Sequence, residues 1–163
     1  KGFYFVRAGT KKLLIINLMG RVFMKDQIDC PFRKADEILG GVEDGDADAI
    51  FVDFHAETTS EKRVLGFYLD GRISAMAGTH THVPTADEQI LPKGTGYITD
   101  AGMCGPYNSS IGVDKDIMIK DLLTQVPQKK EIAETGQVEI GGVLFDIGKD
   151  RKCKKIKRIR GVV

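Results

Sequence analysis

Hydrophobic and polar positions in the first half of the chain predict alternating strands and helices. Four largely apolar runs are predicted to be strands: residues 2–6, 11–18, 49–54 and 73–78. Two stretches with apolar residues at helical spacing lie between them: residues 31–40 and 60–69. Asp29 is expected to cap the first helix, and Val64, Leu65, Tyr68 and Leu69 to form the buried face of the second. From residue 11 onward, this β-α-β-α-β order predicts a parallel or mixed sheet covered by helices.

The second half of the chain predicts shorter elements. Short strands are expected at 89–91 and 96–99, followed by a glycine-rich loop over 100–112 and a helix over 114–123 that Asp114 caps. Two apolar runs, 137–140 and 143–147, flank Gly141-Gly142, which predicts a hairpin that turns at the glycine pair. The alternation over 155–159 predicts a final edge strand, whose lysines would prevent pairing with another chain.

The three histidines fall at predicted strand ends. His80 and His82 lie two residues apart in Gly-Thr-His-Thr-His-Val-Pro, and residues i and i+2 of an extended segment project to the same side. His55 follows the apolar run 49–54. Histidine is the commonest metal ligand. A single His-x-His pair also arises by chance, but the additional strand-end histidine favours a metal site formed by His55, His80 and His82.

Several polar residues near these histidines are open to more than one interpretation. Asp53, Glu57, Asp87 and Glu88 would give a mixed histidine and carboxylate set that suits zinc, manganese or iron. In the alternative interpretation, Asp87 and Glu88 are surface residues or support the ligands by hydrogen bonds, and Asp53 orients His55. Asn17 and Arg21 lie at the C-terminal end of a predicted strand, where α/β folds keep their ligands, or they are a turn cap and a surface residue.

Composition limits the class of protein. A chain of 163 residues with 42% hydrophobic content is long enough for one domain with a substantial core. The net charge of +1 gives no global bias toward nucleic acid or membrane. No apolar run approaches the roughly 20 residues that cross a bilayer. The three cysteines are widely spaced, which fits free thiols in a reducing compartment, so we expect a cytoplasmic protein.

Positive charge is concentrated near the end of the sequence. Residues 149–160 hold eight lysines and arginines and a single acidic residue, Asp150. Such a segment is a solvated terminal strand or a frayed end, or a surface for RNA or another anionic partner.

Several ordered blocks of sequence resemble the YmdB-type family of bacterial metallophosphoesterases. The blocks lie at 17–24, 29–32, 52–62, 78–88 and 94–103. The resemblance runs from about Leu13 to Asp146 and implies a four-layer α/β/β/α sandwich, here without its N-terminal strands and helices. Residues 1–163 would then be the C-terminal part of a single metallophosphoesterase domain, with 149–160 as a basic terminal segment.

The resemblance also implies an activity. Such enzymes hydrolyse small phosphodiesters, usually cyclic nucleotides, with a hydroxide activated by two metal ions, of iron, manganese or zinc. By the same resemblance, His55 and His80 would bind one metal and His82 the other. The family's earlier motifs supply an Asp, a Glu, two Asn and a catalytic His, and none has a counterpart here. We therefore expect half of the metal site, no general acid, and little activity from this chain alone.

An alternative of a different class is a non-catalytic module that binds one metal through its histidines, or RNA through its basic tail. Metal stoichiometry separates the two, because the phosphodiesterase requires two ions. For the phosphodiesterase, the expected partner is a small phosphodiester substrate, and we expect no association with a membrane. We also expect a homo-oligomer, because absent strands would leave the apolar edge of the 13–18 strand open to another chain.

Overall fold

The computed structural model describes residues 2–163, which form a six-stranded sheet, a three-stranded sheet and a short two-stranded pair. The strands of the main sheet are β1 (Phe3–Ala8), β2 (Lys11–Met19), β3 (Ala49–His55), β4 (Ala75–Thr79), β5 (Gln89–Ile90) and β6 (Gly96–Ile98). Their order is β1-β2-β3-β4-β6-β5. The inner strands β2, β3, β4 and β6 are parallel, and β1 and β5 are antiparallel at the edges. The predicted mixed α/β class is confirmed.

Two helices cover one face of this sheet. The helices are α1 (Pro31–Gly40) and α2 (Thr59–Leu69), and they form the crossovers β2-α1-β3 and β3-α2-β4. Alternate strand residues pack against the helices in one apolar cluster: Leu14, Ile16, Val52, Phe54, Ala35, Ile38, Leu65 and Leu69. Because strand side chains alternate between faces, the residues between them, including Asp53 and His55, project to the opposite face.

Two details of these helices differ from the sequence prediction. Cys30, rather than Asp29, is the N-cap of α1, and its side chain makes no capping hydrogen bond. On α2 the predicted buried face is half wrong, because Val64 and Tyr68 are exposed. Glu61 and Lys62 are buried in their place. Their charges are compensated by groups from other parts of the chain, which helical periodicity does not reveal.

The edge of β2 is covered within the chain. The whole of β1 pairs antiparallel with residues 11–16 of β2, from Phe3 opposite Ile16 to Ala8 opposite Lys11. The open apolar edge that motivated the prediction of a homo-oligomer is therefore not present on β2. Self-association stays a prediction without that argument.

The second half of the chain adds β7 (Gly105–Pro106), β8 (Ser109–Ser110), β9 (Val113–Asp114), α3 (Lys115–Thr124), β10 (Val138–Ile147) and β11 (Cys153–Val162). The smaller sheet has the order β11-β10-β7, and β8 pairs with β9. Asp114 caps α3 as predicted, because its carboxylate accepts hydrogen bonds from the backbone N–H groups of Asp116 and Ile117. Phe145 of β10 packs against Phe51, with ring centroids 6.0 Å apart, on the sheet face that lies opposite the helices.

The predicted hairpin at Gly141-Gly142 is wrong. β10 runs straight through both glycines, and the turn lies at residues 148–152, between β10 and β11. A Cβ atom on Gly141 would lie 3.0 Å from the carbonyl oxygen of Met103. A glycine inside a strand marks either a turn or a close approach of another segment, and here it marks the close approach.

The basic segment is an ordered edge strand. β11 lies at the edge of the smaller sheet, as predicted for residues 155–159. Four basic side chains of β11 and the turn before it form ion pairs with carboxylates: Arg151 with Asp44, Lys154 with Asp150, Arg158 with Glu88, and Arg160 with Glu139. Among residues 2–163, no helix is long and apolar enough to span a membrane.

Candidate metal centre

His55 and His80 meet at the carboxyl ends of two adjacent parallel strands. His55 is the last residue of β3 and lies in register with Thr79, the last residue of β4, and His80 follows directly. Nε2 of His55 lies 3.0 Å from Nδ1 of His80. The two rings are perpendicular, with centroids 4.7 Å apart. The predicted convergence of these two side chains is therefore present.

Hydrogen bonds determine which nitrogen of His55 carries its proton. The Thr79 hydroxyl donates to Oδ1 of Asp53 at 2.9 Å, and Nδ1 of His55 lies 3.1 Å from the same hydroxyl oxygen. Because the single Thr79 hydroxyl proton points to Asp53, the oxygen accepts from His55, and Nδ1 is the protonated nitrogen. Asn17 donates to the other Asp53 oxygen at 2.8 Å. Nε2 of His55 consequently presents a lone pair toward His80.

His80 presents a lone pair in return. Its Nε2 lies 2.8 Å from Oε2 of Glu57, and a carboxylate accepts hydrogen bonds. Nε2 therefore carries a proton, and in the neutral imidazole Nδ1 is the unprotonated nitrogen that faces His55. Two lone pairs at 3.0 Å repel each other unless a cation or an additional proton lies between them.

The surroundings of His55 favour its neutral form. Burial lowers the pKa of His55, and the nearby His80 and Lys62 lower it further, while Asp53 and Asp100 act in the opposite direction. A neutral imidazole is the form that binds metal.

The spacing of the pair is compatible with ligation of one metal ion. Two nitrogens bound to one ion at about 2.1 Å would lie about 3.0 Å apart at an octahedral angle of about 90° and about 3.4 Å apart at a tetrahedral angle, and the two histidine nitrogens lie 3.0 Å apart. Metal-bound histidines usually donate their other N–H to a carboxylate, a carbonyl oxygen or water. Glu57 serves His80 in this way, and the Thr79 hydroxyl, backed by Asp53, serves His55.

His82 has a different environment. The segment after β4 is not extended, because His80 and His82 have positive φ angles of 111° and 66°, so the alternation used to place both imidazoles on one side does not apply. Nδ1 of His82 lies 3.1 Å from the carbonyl oxygen of Ile111 and donates to it. Over residues 2–163 the structure has no group of three or more His, Cys, Asp or Glu side chains arranged to hold a metal. Ligation by His82 stays a prediction.

The remaining polar candidates have structural partners. The Asp87 carboxylate accepts hydrogen bonds from the side chains of Thr85 and Thr99, and Glu88 pairs with Arg158. Asn17 supports Asp53. Arg21 contributes its backbone N–H, 3.0 Å from Oε1 of Glu61, and its side chain is exposed.

Glu61 of α2 is a buried residue near this end of the sheet, and the sequence pattern did not indicate its burial. Its buried carboxylate accepts hydrogen bonds from the backbone N–H groups of Arg21 and Val22, at 3.0 and 3.2 Å, and so ties the loop after β2 to α2. Gly20 allows this approach, because a Cβ atom there would lie 2.5 Å from Oε2 of Glu61. A Glu three residues after a helix-capping Thr usually indicates a capping box, which gives no sign of these distant partners.

Replacement of Thr79 by valine tests the tautomer of His55. The variant keeps the shape of the side chain and removes the hydroxyl oxygen that accepts from Nδ1. We expect the Nδ1-protonated form to lose its preference, giving a mixture of tautomers. Ring ¹⁵N chemical shifts of His55 measure this directly in the metal-free protein. Unchanged shifts would show that Thr79 does not select the tautomer.

Comparison with known proteins assigns the chain to a family. The family described as YmdB-like protein matches residues 1–159, and the chain belongs to this family. The chain is 50% identical over 160 residues to the 2′,3′-cyclic-nucleotide 2′-phosphodiesterase of Bacillus subtilis, covering 98% of this chain and 60% of that protein.

Two solved structures share the fold. A crystal structure of a hypothetical protein from Thermus thermophilus superimposes with a TM-score of 0.91 at 41% identity, over 99% of this chain and 62% of that one. A novel phosphatase from Mycoplasma pneumoniae superimposes with a TM-score of 0.87 at 37% identity, over 99% of this chain and 57% of that one. This chain therefore spans about three fifths of the length of its relatives.

Proposed function

We propose that this chain supplies part of the active site of a metal-dependent phosphodiesterase that hydrolyses small phosphodiesters, with cyclic nucleotides as its substrates. The observation that carries the proposal is the approach of Nε2 of His55 to Nδ1 of His80, which lie 3.0 Å apart at the carboxyl ends of adjacent strands. The substrate class is supported by the name of the Bacillus subtilis relative.

In this proposal the residues around His55 and His80 have separate roles. His55 and His80 hold one metal ion, and Thr79, Asp53 and Glu57 keep their unprotonated nitrogens directed at it. Two bound ions, of iron, manganese or zinc, would stabilise negative charge on the phosphate and lower the pKa of a water molecule.

His82 is proposed to serve the second ion. Because its Nδ1 donates to the Ile111 carbonyl oxygen, its Nε2 is the nitrogen with a lone pair available for ligation. Three histidines do not complete two coordination shells. We assign the remaining ligands and the general acid to residues outside this sequence, since the relatives are longer than this chain.

Replacement of His80 by alanine in the complete protein tests the proposal. We expect hydrolysis of bis-p-nitrophenyl phosphate and of a 2′,3′-cyclic nucleotide to fall at least about 100-fold, because loss of a residue that only supports a metal ligand already costs 10–100-fold. Metal analysis should find two ions in the wild type and fewer in the variant.

Glu131→Gln is a suitable control, because Glu131 is an exposed carboxylate paired with Lys129. It should retain both activity and metal content. A His80→Ala protein with wild-type turnover and two bound ions would contradict the proposal. A metal-free wild-type protein that retains full activity would contradict it as well.

A further inference from the structure

We infer that the buried ion pair between Lys62 and Asp100 positions the loop of residues 80–82. It does so through Thr81, the residue between His80 and His82. The inference rests on the proposed role of these histidines as metal ligands. It assigns Lys62, Asp100 and Thr81 as positioning residues, which act through the histidines and contact neither the metal nor the substrate.

The ion pair is fully enclosed. Nζ of Lys62 lies 2.7 Å from Oδ2 of Asp100, and the two side chains are 0% and 1% exposed. Asp100 also uses its other oxygen, Oδ1, to accept from the backbone N–H of Gly102 at 2.9 Å. A buried charge pair is maintained only where geometry and further hydrogen bonds compensate for the loss of water. Asp100 is therefore a fixed point at the carboxyl end of the sheet.

Thr81 is attached to this fixed point by two hydrogen bonds. Its hydroxyl donates to Oδ2 of Asp100 at 2.7 Å, and its backbone N–H donates to the same oxygen at 3.2 Å. Hydrogen bonds to an ionised acceptor are stronger than those between neutral groups. Lys62 and Thr81 thus share one carboxylate oxygen, and the position of the helix α2 is transmitted directly to the loop.

The loop requires such an anchor because its backbone is unfavourable on its own. His80 and His82, on either side of Thr81, have φ angles of 111° and 66°, which residues other than glycine rarely adopt. Such conformations persist when the surrounding structure determines them. The flanking backbone is also held, since the N–H of Ala101 donates to the carbonyl oxygen of Gly78 at 2.9 Å.

Removal of the Thr81 hydroxyl can distinguish a positioning role from a role in folding. Lys62 and Asp100 remain paired when that hydroxyl is removed, so the buried charges stay compensated. Thr81→Val removes the hydroxyl while retaining the branched shape, and Thr81→Ser restores it. Thr124→Val is a matched control, because it removes another threonine hydroxyl, one that donates to the Lys120 carbonyl oxygen on α3.

The experiment measures Mn²⁺ binding to the complete, metal-free protein by the electron paramagnetic resonance of free Mn²⁺. Thr81→Val should raise the dissociation constant about tenfold, the lower end of the range for residues that support metal ligands. The dissociation constants of Thr81→Ser and Thr124→Val for Mn²⁺ should remain within about twofold of the wild-type value. The ring ¹⁵N signals of His80 and His82 should shift in Thr81→Val without metal and return in Thr81→Ser.

The outcomes distinguish this inference from the proposed function. If His80→Ala abolishes Mn²⁺ binding while Thr81→Val binds as tightly as the wild type, the positioning role is wrong and the metal site stands. If the wild type and His80→Ala both fail to bind Mn²⁺, and metal analysis of the wild type finds no iron or zinc, the proposed function is wrong and the ring signals alone decide the positioning role. A lower melting temperature in Thr81→Val, with unchanged affinity and ring signals, would mean a purely structural role.

Discussion

Replacement of Lys62 by methionine is expected to destabilise the protein by about 3–5 kcal/mol, the usual cost of removing one partner of a buried ion pair. The variant would leave the Asp100 carboxylate, which is 1% exposed, without its cation. Methionine fills much of the same volume, so the effect would come from the uncompensated charge rather than from a cavity. Urea unfolding followed by circular dichroism measures the change in the free energy of unfolding.

An exposed pair of almost the same length provides the control. Lys34 and Glu37 on α1 approach to 2.8 Å, close to the 2.7 Å between Lys62 and Asp100, but they lie in solvent. Lys34→Met should cost less than about 1 kcal/mol, because exposed ion pairs contribute little. Combining Lys62→Met with Asp100→Asn should recover part of the lost stability. Equal effects of Lys62→Met and Lys34→Met would contradict the assignment of a buried, charged pair.

The same pair should also appear in the pH dependence of stability. Burial raises the pKa of Asp100, but hydrogen bonds from Lys62, Thr81 and Gly102 outweigh burial and hold the pKa below its usual value. A carboxyl group with a lowered pKa in the folded state stabilises the protein above its unfolded pKa. That contribution is lost as the pH falls through the folded pKa, so acid should narrow the difference between wild type and Lys62→Met.

The regular elements and part of the site followed from local pattern. Apolar periodicity located β2, β3, α1 and α2, and the rule that parallel strands end at one edge of the sheet brought His55 and His80 together. His82 was placed by assuming an extended segment, and that assumption failed because the backbone bends after Thr79. The bent segment is hydrogen-bonded at Thr81 to Asp100, which lies 19 residues further along the chain.

The other errors also involve contacts between distant parts of the sequence. Glu61 and Lys62 look like solvent-exposed residues of a helix, and they are buried because their partners lie about 40 residues away, at Arg21 and Asp100. Gly141 was predicted to lie in a turn because glycine fits both a turn and a close approach, and only the position of Met103 distinguishes the two. Periodicity carries no information about such partners.

Replacement of Gly78 by alanine is expected to be severely destabilising and to disrupt the histidine pair. A Cβ atom on Gly78 would lie 1.8 Å from the carbonyl oxygen of Thr99 and 2.9 Å from Cδ of Lys62. Neither a backbone carbonyl nor the enclosed Lys62 side chain can move without separating β4 from the segment after β6. Overpacking in an interior typically costs 1–3 kcal/mol and occasionally more, and we expect at least about 3 kcal/mol here because the clash is with backbone.

Gly142→Ala is the matched control, because a Cβ atom on Gly142 would meet no atom within 4 Å and the residue lies inside β10. It should change the free energy of unfolding by no more than about 1 kcal/mol, since alanine at a compatible position mainly restricts the unfolded chain. Urea unfolding compares the two variants, and the ring ¹⁵N signals of His55 and His80 report the pair. If Gly78→Ala is as stable as Gly142→Ala and keeps the wild-type ring signals, the close contact between Gly78 and Thr99 does not determine the position of His80.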